Sequence, residues 1–554
     1  MTVAADRLAL GPLLRFVGHH EATIWVQTTE PAWVEVELDD RVVGAPTFIV
    51  EDHHYALVVI TDLEPGTQYP YRLRLDGEVV WPAPDSPFPP STIRTLTSET
   101  PTRLAFGSCR TSVPHDAEHH ASHGVDAMRA YALALAKGEQ EWPDAVAFLG
   151  DQVYADETSE AMREFIASRR DITKGPKEEL ADFAEYSHLY HLAWSDPANR
   201  WLLANLPSAM IFDDHDVRDD WNTSYEWHQE INALPWWHER LIGALTSYWV
   251  YQHIGNLAPE ELAEDPYWAL VAKGESPGQV DLTQPLRSLA ERVDREPESY
   301  RWSYTRDLGD TRLIVVDSRA ARVLEPDHRD MLDPGEMDWF REQMRGDVDH
   351  LFIGTSLPFL LAPGLHDFEA IDEELASPER SAPVRWTAEH LRQVIDLEHW
   401  AAFQTGFAEV FEEVMAVARG ERGKPPATIT FLSGDVHHSY VAEVTDADQY
   451  GARSRIVQAV CSPIRNPMPR AVRVVMSLFA RALVRPMRWA SDRAKGVDPP
   501  RYPWTVTHGP WFDNNIAVAQ VKGERLTVTW HAGEVVDGDD AHPALVQVAE
   551  ATVG

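Results

Sequence analysis

Four short apolar runs in this sequence each end in a small group of side chains able to hold a metal ion. Leu104-Ala105-Phe106 leads into Gly107-Ser108-Cys109-Arg110, and Ala147-Phe148-Leu149 into Gly150-Asp151-Gln152-Val153-Tyr154. Met210-Ile211-Phe212 leads into Asp213-Asp214-His215-Asp216, and Phe431-Leu432-Ser433 into Gly434-Asp435-Val436-His437-His438. Taken singly these are weak signals. A cysteine at a strand end is usually a small buried apolar group, and an aspartate after glycine is usually a turn residue. The fourfold recurrence is what points to one shared site. The donors fall into two chemical sets. A thiolate, a phenolate and an imidazole suit a softer or higher-valent transition metal such as iron, and carboxylates alone suit a hard divalent cation. A carboxylate shared between two such ions would hold them about 3.5–4 Å apart, close enough to clamp a phosphoryl group and acidify a water for in-line attack on phosphorus.

The elements that must carry these groups change character along the chain. Residues 10 to about 95 read as strands: Thr23–Thr28, Trp33–Leu38, Tyr55–Ile60 and Tyr69–Leu75 are rich in β-branched and aromatic residues, with turn clusters such as Glu64-Pro65-Gly66-Thr67 between them. Such spacing without helical stretches predicts an all-β sandwich. The Pro-rich stretch Trp81–Ser91 reads as a stiff connection. From about Thr102, nearly all-apolar strands alternate with helical stretches, among them Asp126–Lys137, Glu178–Ala193, Pro334–Arg345 and Trp386–Ala418. Strands apolar on both faces are strands covered on both faces, so an α/β layered domain is expected. In such domains the carboxyl ends of the strands are where sites form. The predicted division is a β-sandwich over 1–98 and a catalytic domain over 99–554.

Composition narrows the classes. A chain of 554 residues is too long for one ordinary core. Its formal net charge of −39 disfavours a nucleic-acid scaffold, and an anionic substrate would have to be attracted locally, by a metal centre or a few arginines. Two cysteines, Cys109 and Cys461, exclude a disulfide framework. The start MTVAADRLALGPLLRF lacks the pattern of a secretory signal, and no run of 18 apolar residues is present, so a cytoplasmic location is expected unless a leader has been removed.

The motifs GSCR, GDQVYAD, DDHD and GDVHH, in this order, resemble the PhoD-like alkaline phosphatase family of the metallophosphoesterase superfamily. The LEPGTQYPYRL stretch resembles a corner of fibronectin type III or Ig-like domains. The resemblance spans roughly residues 100 to 535 together with the preceding sandwich. It implies a β-sandwich flanked by helices and a hydrolase of phosphoric esters, acting on mono- or diesters through a hydroxide that the metals keep available near neutral pH. It implies that Cys109, Tyr154 and His437 bind Fe3+, that Asp151 bridges to Ca2+, and that Asp214 and Asp435 face the calcium, with Mg2+ or Mn2+ as alternatives. His215 would protonate the leaving group, with Asp216 orienting it. The spacing is consistent: Asp151 and Tyr154 are three apart, and Asp435 and His437, two apart, share a face of extended backbone. Arg110 and Arg218 could each hold a phosphate oxygen by a forked pair of hydrogen bonds. Asp317-Ser318-Arg319 follows another apolar strand and could support the site. Gly354-Thr355-Ser356 ends a strand where other metallophosphoesterases offer a histidine, and none stands there. The runner-up within the class is a phosphodiesterase of phospholipase D type; a non-catalytic binding protein would be expected to have lost several of these ligands.

Residues 465–495 run against the overall charge. Arg465, Arg470, Arg473, Arg481, Arg485, Arg488, Arg493 and Lys495 face a single acid, Asp492, with Val474, Val475, Leu478 and Leu483 among them. This predicts a basic amphipathic helix. It could contact a membrane, cover the active site or pair with the chain's own acidic surface, and an internal lid is the favoured expectation.

Overall fold

The structure is a computed structural model that describes residues 4–39, 41–97, 101–494, 496–497 and 499–553. The expected division between 98 and 99, and Lys495 of the basic segment, lie outside the described residues.

The N-terminal region is β-rich, in two sheets. One orders Leu8–Val17, Ala22–Thr28, His53–Ile60 and Phe48–Val50; the other orders Arg41–Pro46, Trp33–Leu38, Gln68–Leu75 and Glu78–Trp81, with Thr92–Arg94 added on Gln68–Leu75. Ile24, Val26 and Val58 of the first meet Val34, Val36 and Leu73 of the second in one core. Antiparallel sheets commonly leave the other face wet. Here it is dry: all seven residues of Ala22–Thr28 are buried, and Trp25, Tyr55 and Leu57 join the main core of the molecule. Arg15 is fully buried across this contact, donating to the carbonyls of Tyr251 (2.7 Å) and Gln252 (2.6 Å) and to Asn256 Oδ1 (3.2 Å). Trp25 Nε1 donates to the Val250 carbonyl at 2.8 Å.

The rest of the chain holds two mixed sheets. The six-stranded sheet runs Ser208–Ile211, Ala145–Leu149, Arg103–Gly107, Ile516–Lys522, Arg525–Glu534, Ala544–Val553, with the first three parallel. The seven-stranded sheet runs Tyr304–Leu308, Thr311–Val316, His350–Thr355, Thr428–Ser433, Arg455–Val460, Ser439–Val444, Trp504–Trp511, with four parallel strands, from Thr311–Val316 to Arg455–Val460, at its centre. The period-two pattern divides the second sheet cleanly. Leu313, Val315, Phe352, Leu432 and Ala459 enter the core shared with the six-stranded sheet. Ile314, Val316, Ile353, Phe431 and Val460 enter a second core, with Phe407, Val410, Phe411 and Val414 of the helix Gln404–Arg419. Each fully buried side chain of this kind contributes about 1.5–3 kcal/mol.

One expected element is two. Trp386–Ala418 is not a single helix but Ala382–Val394 and Gln404–Arg419. Asp396 turns left-handed, at φ 51°, and the chain between the helices carries Glu398 and His399 into the interior.

Candidate metal centre

The parallel strands of both sheets aim their carboxyl ends at one place. Cys109 follows Arg103–Gly107, Asp151 follows Ala145–Leu149, Asp213 and Asp214 follow Ser208–Ile211, and Asp435 and His437 follow Thr428–Ser433. Four of these turn left-handed: Cys109 (φ 56°), Asp151 (48°), Asp435 (63°) and His437 (50°). That backbone region costs a non-glycine residue about 1–3 kcal/mol and persists only where the surroundings impose it. Here it bends each strand end inward. The preceding glycines make the bend feasible. Gly150 sits at φ 100°, where an added Cβ would lie 2.8 Å from Asp213 Cβ, and a Cβ on Gly434 would lie 1.9 Å from Ser108 Oγ.

Three donor sets result, each with ligand atoms within 4.8 Å of one another: Cys109, Asp151 and His437; Asp151, Asp214 and His215; and Asp151, Asp213, Asp214 and Asp435. Asp151 belongs to all three. Cys109 Sγ lies 3.3 Å from Asp151 Oδ2 and 3.3 Å from Ser462 Oγ, and the Tyr154 hydroxyl donates to Asp151 Oδ2 at 3.4 Å. The structure thus brings together all six residues expected as ligands, and His215 with them.

The electrostatics call for positive charge. Burial, then neighbouring carboxylates, push Asp151, Asp213 and Asp214 upward, against the pull of His215 on Asp151 and of Arg319 on the other two. Burial, then Asp151 and Asp435, hold the Cys109 thiol well above its usual value. Burial lowers His437 to about 4, leaving its imidazole neutral and able to donate a lone pair. Among the described residues, Asp151 Oδ1 and Asp213 Oδ2 are buried without a hydrogen-bond partner. Buried carboxylate oxygens left in this state are costly, and converged ones fit a cation.

Several supporting residues differ from expectation. Asp216 does not orient His215. Its side chain accepts from the Asp213 amide (2.9 Å) and from Gln252 Nε2 (3.2 Å), fastening the turn on which His215 stands. The carboxylate on His215 is Asp156, with Oδ1 2.9 Å and Oδ2 3.1 Å from Nδ1. Burial alone would lower His215, but Asp156 and then Asp214, with others, outweigh it and raise the ring well above its ordinary value. Arg110 is also turned elsewhere. Its Nε and Nη2 both donate to Asp126 Oδ2 (3.0 and 2.7 Å), and Nη1 donates to the Ala193 carbonyl, so it ties the Cys109 loop to the cap of the helix Ala127–Ala136. Arg218 is half-buried and donates to Glu179 Oε2 at 3.1 Å. Neither guanidinium enters the cluster.

Three residues at the site, Asp213, Asp156 and His399, had been given no role from the sequence. Asp213 and Asp156 stand inside motifs already singled out, DDHD and GDQVYAD, and could have been read from them. Arg319, in the triplet expected to support the site, is fully buried, bonded to Asp213, 3.1 Å from Asp214 Oδ1 and paired with Glu398. His399 had no signal, because it lies in the break between two helices. Its Nε2 is 3.2 Å from Asp435 Oδ2 and its Nδ1 is 2.7 Å from Glu369 Oε1. Ser356, where a histidine was wanting, bonds the Ser318 hydroxyl at 2.9 Å. Beside the cluster opens a cleft of about 450 Å³, lined by Tyr154, Asp156, Thr111, His119, Arg163 and Asn466.

Two facing sheets thus deliver acidic, thiol and imidazole donors to one edge, a set that could hold metal ions. The model of the family described as PhoD-like phosphatase matches residues 105–488, and a model described as a domain of unknown function matches residues 5–93. The chain belongs to the PhoD-like phosphatase family and is a hydrolase of phosphoric esters. The solved structure titled "Structure of PhoD" superposes with a TM-score of 0.59 at 13% identity, over 100% of this chain and 91% of that one, which shows the shared fold. A type III pullulan hydrolase from Thermococcus kodakarensis aligns over 98% of this chain and 97% of its own at 10% identity, and a maltogenic amylase from S. marinus over 100% and 83% at 10%. Their TM-scores are 0.16 and 0.13, too low to carry any argument. No curated protein matches the chain.

Proposed function

We propose that this chain hydrolyses phosphomonoesters or phosphodiesters at a two-cation centre bridged by Asp151. The observation that carries the reading is the membership of Asp151 in every donor set, beside buried carboxylate oxygens that lack a partner. Cys109, Tyr154 and His437 would hold iron, and Asp213, Asp214 and Asp435 would face a hard divalent ion such as calcium. When bound, the two ions would polarise the phosphoryl oxygens and acidify a water. The chain's own residues do the rest. Asp156 fixes the His215 ring through Nδ1, which leaves Nε2 to hand a proton to the leaving-group oxygen. Arg319 neutralises part of the charge on Asp213 and Asp214 and holds them in place. The two facing sheets with their outer helices support a metallophosphoesterase type of layering over about 99–554, and the N-terminal sheets support a fibronectin III or Ig-like unit over about 1–98.

Elemental analysis of the purified protein, with hydrolysis of chromogenic phosphomonoester and phosphodiester substrates, tests the reading. Iron together with a second metal, and turnover of at least one substrate, is expected. A protein that takes up neither metal and hydrolyses neither substrate overturns it. Tyr154→Phe should bleach the visible charge-transfer band of the iron-loaded protein, and an unchanged spectrum removes Tyr154 from the ligand set.

A further inference from the structure

The basic segment forms two helices, Arg470–Arg481 and Val484–Ser491. Ala471, Val474, Val475, Leu478 and Ala482 recur at helical spacing and are all exposed. Val474 is 62% exposed and Trp489 61%, values that place a long apolar stripe and an indole in solvent rather than over the cleft, where a lid would turn them. Arginines accompany the stripe along both helices. Arg488 is spent on Asp367 at 3.2 Å, and Arg473 lies over the Phe512 ring at 5.7 Å. Arg470 and Arg485 are exposed and have no ion pair among the described residues, and the Arg493 guanidinium sits 4.4 Å over the Trp489 ring. An exposed apolar stripe edged by arginines with an interfacial tryptophan has the composition of a helix that lies in a lipid headgroup layer. None of the described helices is long and apolar enough to cross a membrane. The segment is also placed to matter for the site: Asn466, four residues before Arg470, lines the cleft with Tyr154 and Asp156.

We infer that the exposed face of residues 470–493 docks on an anionic lipid surface and brings the cleft to phosphoesters presented there. The docking stands on the helices alone; the substrate class rests on the phosphoesterase reading above. The charge of −39 on the whole chain does not oppose it at contact, because exposed charges beyond about 8 Å are screened at physiological ionic strength.

Flotation of the full-length protein with vesicles of phosphatidylcholine alone, or mixed with phosphatidylglycerol, tests the inference. The protein should float with the mixed vesicles and not with phosphatidylcholine. Arg470→Ala and Arg485→Ala should each weaken binding about fivefold. The double variant Val474→Glu/Leu478→Glu, placed on the exposed stripe so that folding is preserved and checked by circular dichroism, should not float, yet should hydrolyse a soluble chromogenic phosphoester at the parent rate. Absence of flotation, or flotation unchanged in the double variant, overturns the docking. So does self-association that the double variant abolishes, because it assigns the face to a second copy of the chain. Flotation of a parent that hydrolyses nothing keeps the docking and removes the phosphoesterase reading instead.

Discussion

At the scale of single residues, the contrast between Asp156 and Asp216 shows what adjacency in sequence conceals. Asp216 is next to His215, yet the tight turn Asp214–Asp216 aims its carboxylate back at the Asp213 amide. Asp156, from a different strand end, reaches the ring. Asp156→Asn should therefore lower kcat by about 10²–10⁴-fold while leaving metal content and KM near those of the parent. Steady-state kinetics with elemental analysis decides it, and a loss of metal in that variant would show that the carboxylate supports the centre instead. The clustering itself was legible, because Cys109, Asp151, Tyr154, Asp214, Asp435 and His437 each follow an apolar run that announces a strand end. Arg110 misled for the complementary reason. It follows Cys109 directly, but side chains beyond a left-handed residue need not share its direction, and Asp126 offered Arg110 a buried partner.

At the scale of elements, the strands were legible and the interruptions were not. The parallel strands are runs of apolar residues, and their order fixes where the loops converge. The break at Ile395–Phe403 has no comparable signal, since Leu391 to Val417 carries apolar residues at spacings that read as one helix. The structure spends that break on Glu398 and His399, which brace Arg319 and Asp435. The tight packing of one strand end against another is equally invisible in one sequence. A methyl group on Gly434 would meet Ser108 Oγ at 1.9 Å and Ser108 Cβ at 2.2 Å. Gly434→Ala should push Ser108 and Cys109 away from Asp151, reduce bound metal per chain, and lower stability by about 1–3 kcal/mol, the usual range for overpacking. Metal counting and the denaturant midpoint check this together; metal content equal to the parent's with an unchanged midpoint would mean that the loops yield freely.

At the scale of the whole molecule, many acids are buried away from the centre, and they set how stability responds to pH. Burial, then Asp317, push Glu336 up to about 8, from an unfolded value of about 4.3. A raised carboxyl binds its proton in the folded state while the unfolded chain has released it. Stability is therefore greatest below the unfolded value and falls as pH rises through the window up to the folded value. Glu336→Gln, which cannot ionise, should flatten the fall in urea midpoint between about pH 5 and about pH 8; a slope identical to the parent's would show that Glu336 ionises freely in the fold.

The N-terminal sheet that holds Ala22–Thr28 has two dry faces, and even its polar Gln27 is buried. In the structure Gln27 bonds Ser187 Oγ and accepts from the Tyr251 hydroxyl. Two stretches that answer to separate family descriptions are therefore heritable only as a matched pair. A different module could not be grafted in place of residues 5–93 without rewriting Tyr251, Gln252 and Asn256, which would otherwise be left as a socket for a missing arginine.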